Sequence, residues 1–260
     1  MNMRLAVNNG SQSSKQIPTN ERLIFALDVA TRAEALSWVD RLGDSVQFYK
    51  IGMELLTSGE YFQVLADLAQ RGKRIFVDLK FFDVPATVAS AVKGLTRYPV
   101  DFCTIHGNNA MLKAAAEVKG NITLLAVTAL TSLDEHDLAD LGFQCDVRSL
   151  VLSRARAALA VGCDGVVSSG LEVAELRREV DHRLIVVCPG IRPVANADDT
   201  QAAVQTGSAA ATDDQKRTVD LRTAFENGAD YIVVGRPIRN SADPRATAEA
   251  MQQTIRALFL

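Results

Sequence analysis

The sequence has few cysteines and few histidines, and neither set is arranged for chemistry. Cys103, Cys145, Cys163 and Cys188 are scattered with no CxxC pair, which leaves no basis for a disulfide framework or a cysteine zinc site and fits a reducing, cytoplasmic setting. The three histidines, His106, His136 and His182, have no ligand spacing to one another, so no metal is expected. A basic surplus is also missing: 28 Lys and Arg stand against 31 Asp and Glu, a net charge of −3. Nucleic-acid-binding domains normally carry the opposite balance, so no nucleic-acid partner is expected, although a few local arginines could still hold a small anion. No apolar stretch approaches the roughly 20 residues that cross a bilayer. The opening MNMRLAVNNGSQSSKQIPTN lacks the apolar centre of a signal peptide, so no membrane partner is expected either.

What is present is a rhythm. Hydrophobic residues make up 48% and charged residues 23% of the chain, ordinary for a domain with a sizeable core. Residues 1–20 are polar and read as a mobile tail, and residues 21–260 read as one domain. From there, short runs rich in Val, Ile and Phe alternate with segments of helical pattern. The runs are RLIFALD (22–28), VQFYKIG (46–52), RIFVDLK (74–80), VDFCTIH (100–106), ITLLAVT (122–128), DGVVSS (164–169), LIVVCPG (184–190) and DYIVVG (230–235). Helices are expected near 31–42, 59–71, 86–98, 109–118, 146–161, 171–180, 217–227 and 244–258. Nearly continuous apolar strands are the mark of a parallel sheet covered by crossover helices. Eight strands alternating with eight helices, and no Gly-x-Gly-x-x-Gly after the first, favour an α/β fold of the (β/α)8 TIM-barrel type over an open dinucleotide-binding sheet. Two connections are long, 129–144 after the fifth strand and 192–214 after the seventh; in a barrel both leave the strand ends where active sites are built.

Charges collect at those ends. Asp28 closes the first strand, Lys50 lies in the second, and Asp78 and Lys80 end the third, followed by Asp83 and Pro85. Residues two apart on a strand share a face, so Asp78 and Lys80 are expected to point together into the barrel mouth. Two aspartates and two lysines converging there form an alternating network that packing does not call for. The later strands end in PGIR, with Arg192, and VVGRPI, with Gly235 and Arg236. Glycine permits close backbone approach, arginine offers a planar fork, and the loops after strands seven and eight commonly bind phosphate. His106, without an orienting carboxylate in sight, reads as a structural hydrogen-bonder, and Trp38 as packing.

The motifs ALD, KIGMEL, DLKFFDVPATV, VTALTS, PGIR and DYIVVGRPI, in that order from about residue 22 to the end, resemble the orotidine 5'-monophosphate decarboxylase family of bacterial type. The D-x-K-x-x-D-x-P-x-T segment is the most specific of them. The resemblance implies an enzyme without cofactor that converts orotidine monophosphate to UMP in pyrimidine synthesis, acting as a homodimer on a nucleotide substrate. Carried over by position, Lys80 protonates C6 and Asp78 lies beside the substrate carboxylate. Lys50 and Asp28 complete the network and bind ribose hydroxyls. Thr131 contacts the base, while Gln215, Arg236 and the Gly235 backbone hold the phosphate with Arg192 nearby. Asp83 and Thr87 are implied to serve the partner's site.

Arg192 and Gln215 stand 23 positions apart, a departure from the family pattern, which is shorter there, and this implies a larger phosphate lid. Two other readings share parts of this pattern. A metal-dependent sugar-phosphate decarboxylase or aldolase would share the third-strand motif, with Glu54 as a conceivable metal ligand. A non-catalytic barrel that binds a ligand is the other; the complete charge network disfavours it.

Overall fold

Strands dominated by β-branched and aromatic residues form where the apolar runs predict them. The computed structural model describes residues 13, 15–192 and 215–260. The strands are β1 (Leu23–Ala26), β2 (Phe48–Ile51), β3 (Arg74–Phe81), β4 (Phe102–Ile105), β5 (Thr123–Val127), β6 (Gly165–Val167), β7 (Ile185–Cys188) and β8 (Tyr231–Val234). All pair in parallel in chain order, and β1 closes on β8. The helices between them cover the outside, from Arg32–Leu42 to Pro244–Phe259. The expected (β/α)8 barrel is the observed fold.

The period of two along each strand sorts side chains into two cores. Phe25, Tyr49, Ile75, Val77, Cys103 and Ile232 face outward and pack under the helices. Ile24, Phe48, Phe76, Phe102, Leu125, Val187 and Tyr231 fill the barrel interior. The rings of Phe48 and Tyr231 both meet Phe102 edge-on, with centroids 4.9 and 5.0 Å away. The Arg74 guanidinium lies 4.5 Å from the Phe48 centroid and pairs with Glu21 and Asp101. One step further along the same inward-facing rows come Lys50, Asp78 and Thr104, so the site rests on a floor of packed rings.

Three features depart from expectation. The connection 129–144 contains a helix, Glu135–Asp140, begun by a capping box between Asp134 and Asp137. One-turn helices at Met53–Thr57 and Arg236–Arg239 are too short to show a period. The polar N-terminal segment is docked from Lys15 onward. The Lys15 ammonium donates to the carbonyls of His182 and Leu184 and to Asp230, at 2.8 to 3.2 Å, and Arg22 donates to the Lys15 carbonyl at 3.1 Å. This anchoring comes from a single lysine meeting a distant carboxylate, which composition does not register. The long segment 193–214 lies outside the described residues, as do residues 1–12 and 14.

Asp230 is fully buried between Arg177, 2.8 Å away, and Lys15, 3.0 Å away. Removing it strands a buried guanidinium. Asp230→Ala is expected to lower stability by about 3–5 kcal/mol, read from the urea midpoint; a change below about 0.5 kcal/mol would contradict this account of the barrel base.

Candidate active site

Four charged side chains converge at the carboxyl end of the barrel in strict alternation. Lys50 Nζ lies 3.0 Å from Asp28 Oδ1 and 3.4 Å from Asp78 Oδ2. Lys80 Nζ lies 3.0 Å from Asp78 Oδ1. The order is therefore Asp28, Lys50, Asp78, Lys80, with Asp78 held from both sides. The Lys50 and Asp78 side chains are each only 12% exposed. Burial opposes the charge of Lys50, but Asp78 and Asp28 outweigh it and raise its pKa above the ordinary lysine value. Burial likewise opposes ionisation of Asp78, yet Lys50 and Lys80 together hold its pKa below the ordinary carboxylate value.

Simple strand alternation is not what brings Asp78 and Lys80 together. The β3–β4 pairing shifts register between Val77 and Phe81, and Lys80 has φ +48°, the only positive φ at a non-glycine among the described residues. A left-handed lysine costs on the order of 1–3 kcal/mol, and a bulge of this kind re-aims a side chain beside a site. Lys80 is thus turned back onto Asp78 by a local distortion of the strand end.

The network opens into a cavity of about 400 Å³ whose wall includes Asp28, Lys50, Asp78, Lys80, Thr131, Arg192, Gln215, Gly235 and Arg236. The charged quartet lies at the ends of β1 to β3. Arg192, Gly235 and Arg236 lie at the ends of β7 and β8. Thr131, after β5, donates its hydroxyl to Gln215 Oε1. Lys216 continues the link through Asp134 and Asp137, at 2.7 and 2.8 Å, and the Lys216 and Arg217 amides donate to the Thr131 carbonyl at 3.0 and 3.2 Å. Gly190, with φ +74°, lets this segment pass closely, since a Cβ there would sit 3.0 Å from the Arg217 carbonyl oxygen.

Asp83 and Thr87 do not line the cavity. Both are exposed, and among the described residues Asp83 accepts only the neighbouring Val84 N–H, at 2.6 Å. The flanking Phe82 and Val84 are 66% and 60% exposed. His106 packs its ring edge-on against Phe82, a ring contact rather than the side-chain hydrogen bond expected of it. Trp38 packs against Phe25 as expected. Glu54 lies in the first turn of the short helix Met53–Thr57 and is not part of the cavity wall.

Residues 21–251 match the orotidine 5'-phosphate decarboxylase / HUMPS family. The chain belongs to that family. A protein of Methylococcus capsulatus named orotidine 5'-phosphate decarboxylase is 59% identical over 247 residues, 95% of this chain and 97% of that one. One of the same name from Xanthomonas euvesicatoria pv. vesicatoria is 53% identical over 249 residues, again 95% and 97%. The crystal structure of orotidine 5'-phosphate decarboxylase from Lactobacillus acidophilus superposes with a TM-score of 0.75 at 33% identity, over 90% of this chain and 99% of that one.

Three further residues of this decarboxylase-family chain support the site. Thr104 donates to Asp78 Oδ1 at 2.9 Å; it sits two beyond the inward-facing Phe102, and that parity could have found it. Arg239 lines the cavity and donates to the Asp28 carbonyl, but only the one-turn helix aims it there. Arg217 reaches Glu172 at 2.6 Å and the Ala129 and Leu130 carbonyls at 3.1 and 3.0 Å, contacts with no local signal.

The pKa directions fix a pH window. The stability that Asp78 contributes is fully present above its unfolded value near 3.8 and is lost as pH falls through its depressed folded value. That of Lys50 is fully present below about 10.5 and is lost as pH rises through its raised folded value. The stability gap between wild type and Asp78→Asn, from urea midpoints, should stay flat between about pH 5 and 9 and shrink below about pH 4. A gap that already collapses near neutrality would contradict the pairing.

Proposed function

We infer that this chain decarboxylates orotidine 5'-phosphate to UMP and carbon dioxide, a step of pyrimidine synthesis. The observation that carries the reading is the Asp28–Lys50–Asp78–Lys80 chain of charges in a cavity that Arg192 and Arg236 also line. A phosphate at Arg236, the Gly235 backbone and Gln215 orients the nucleotide, and Thr131 meets the base. Asp28 and Lys50 take the ribose hydroxyls, which directs C6 toward Lys80.

The C6–carboxylate bond breaks with its electron pair left on C6, in an orbital the ring does not delocalise. A fixed ammonium beside that carbon is favourable only as the charge develops, and so lowers the barrier rather than merely tightening binding. Lys80 then gives C6 a proton, leaving UMP and a neutral amine that regains its proton from solvent. Asp78 keeps Lys80 oriented. Its negative charge also lies near the departing carboxylate, which disfavours the ground state. Phosphate binding, remote from C6, supplies energy for ordering the site.

A homodimer completes the proposal. Asp83 stands exposed between exposed Phe82 and Val84, an arrangement that a second protomer would cover while receiving Asp83 and Thr87 into its own cavity. The four cysteines are all free thiols, in keeping with a cytoplasmic setting, and among the described residues no helix is long and apolar enough to cross a membrane.

Purified protein in EDTA should convert orotidine 5'-phosphate to UMP, followed by the loss of absorbance. Lys80→Ala should lower kcat by about 10³-fold or more with its circular dichroism unchanged. A strict magnesium requirement, or turnover of a sugar phosphate instead, would favour the metal-dependent branch. Mixing the Lys80→Ala and Asp83→Ala proteins after subunit exchange should restore activity that neither has alone; no recovery would count against the shared site.

A further inference from the structure

Val77 faces Cys103 and Phe81 faces Ile105, so Asp78, Leu79 and Lys80 all stand opposite the single residue Thr104. In an unbroken ladder the β3 amides in this stretch would meet backbone partners on a neighbouring strand. The Lys80 N–H instead donates to the Thr104 hydroxyl oxygen at 3.0 Å. The same hydroxyl donates to Asp78 Oδ1 at 2.9 Å. Thr104 is fully buried and does not line the cavity, so it touches no substrate.

A hydroxyl offers one donor and two acceptor lone pairs, so one oxygen can serve both partners at once. Valine has the same shape and serves neither; serine serves both. We propose that Thr104 is a positioning residue for the decarboxylation: its single oxygen holds the Lys80 backbone and the Asp78 carboxylate together and thereby sets where the Lys80 ammonium meets C6. This rests on the decarboxylase reading above. Without the hydroxyl, the left-handed turn at Lys80 loses the bond that substitutes for the ladder, and Asp78 loses its one neutral donor. The Lys80 side chain then has no fixed base, and a shift of about 1 Å at a reacting group is worth about 10²-fold in rate.

The test compares wild type, Thr104→Val and Thr104→Ser in steady-state decarboxylation, with amide hydrogen exchange at Lys80 measured by NMR. In Thr104→Val, kcat should fall by about 10- to 100-fold while KM stays within about threefold, because the phosphate and ribose contacts are untouched. Exchange at the Lys80 amide should quicken by about tenfold or more. Thr104→Ser should recover both. If Thr104→Val does not fold, Thr104→Ala is read by the same criteria. An active wild type whose hydroxyl-free variant keeps its kcat, or a serine variant as slow as the valine one, would overturn the proposal alone. A wild type with no turnover would overturn the decarboxylase reading and this proposal with it.

Discussion

Asp78 is the pivot of the charge network at the barrel mouth. Its carboxylate is nearly buried and lies between two ammonium groups, 3.4 and 3.0 Å away. An isolated carboxylate there would be protonated, and an isolated lysine would be neutral. Placed together in alternation, each ion keeps the others charged. The arrangement is only as stable as its completeness, because removing one member leaves a buried charge without compensation. A site built this way holds the Lys80 ammonium against Asp78, and the layers beneath it are tightly packed.

The support comes in layers. The interlocked rings of Phe48, Phe102 and Tyr231 plug the barrel beneath the network, so the charges rest on a rigid apolar floor rather than on water. Below the rings, Arg74 is tied to Glu21 and Asp101, and Asp230 to Arg177 and Lys15. Above, the bulge at the end of β3 turns Lys80 back over Asp78. The distortion is local: regular pairing holds on either side of it.

The barrel was legible because its signal is repetitive. Eight apolar runs separated by helical segments leave few alternatives, and each strand end lies within two residues of the end of its apolar run. Asp28, Lys50, Asp78 and Lys80 were legible for a related reason: charge at the end of a strand buried on both faces stands out against Val, Ile and Phe. What was not legible depends on contacts between distant segments. Lys15 looks like part of a polar tail until Asp230 is found beside it. Arg217 and Arg239 are two arginines among many until loops from elsewhere in the chain deliver carbonyls to them. The positive φ of Lys80 was hidden because a period-two argument gives the right partner for the wrong geometric reason.

The central claim is spatial: in the proposed reading the Lys80 ammonium meets C6 while the phosphate is held at the ends of β7 and β8. A crystal structure with UMP bound measures that directly. The account predicts Lys80 Nζ within about 3.5 Å of C6, with the phosphate against Arg236 and the Gly235 backbone and the ribose hydroxyls on Asp28 and Lys50. A nucleotide bound in the reverse sense, or with C6 turned away from Lys80, would contradict it.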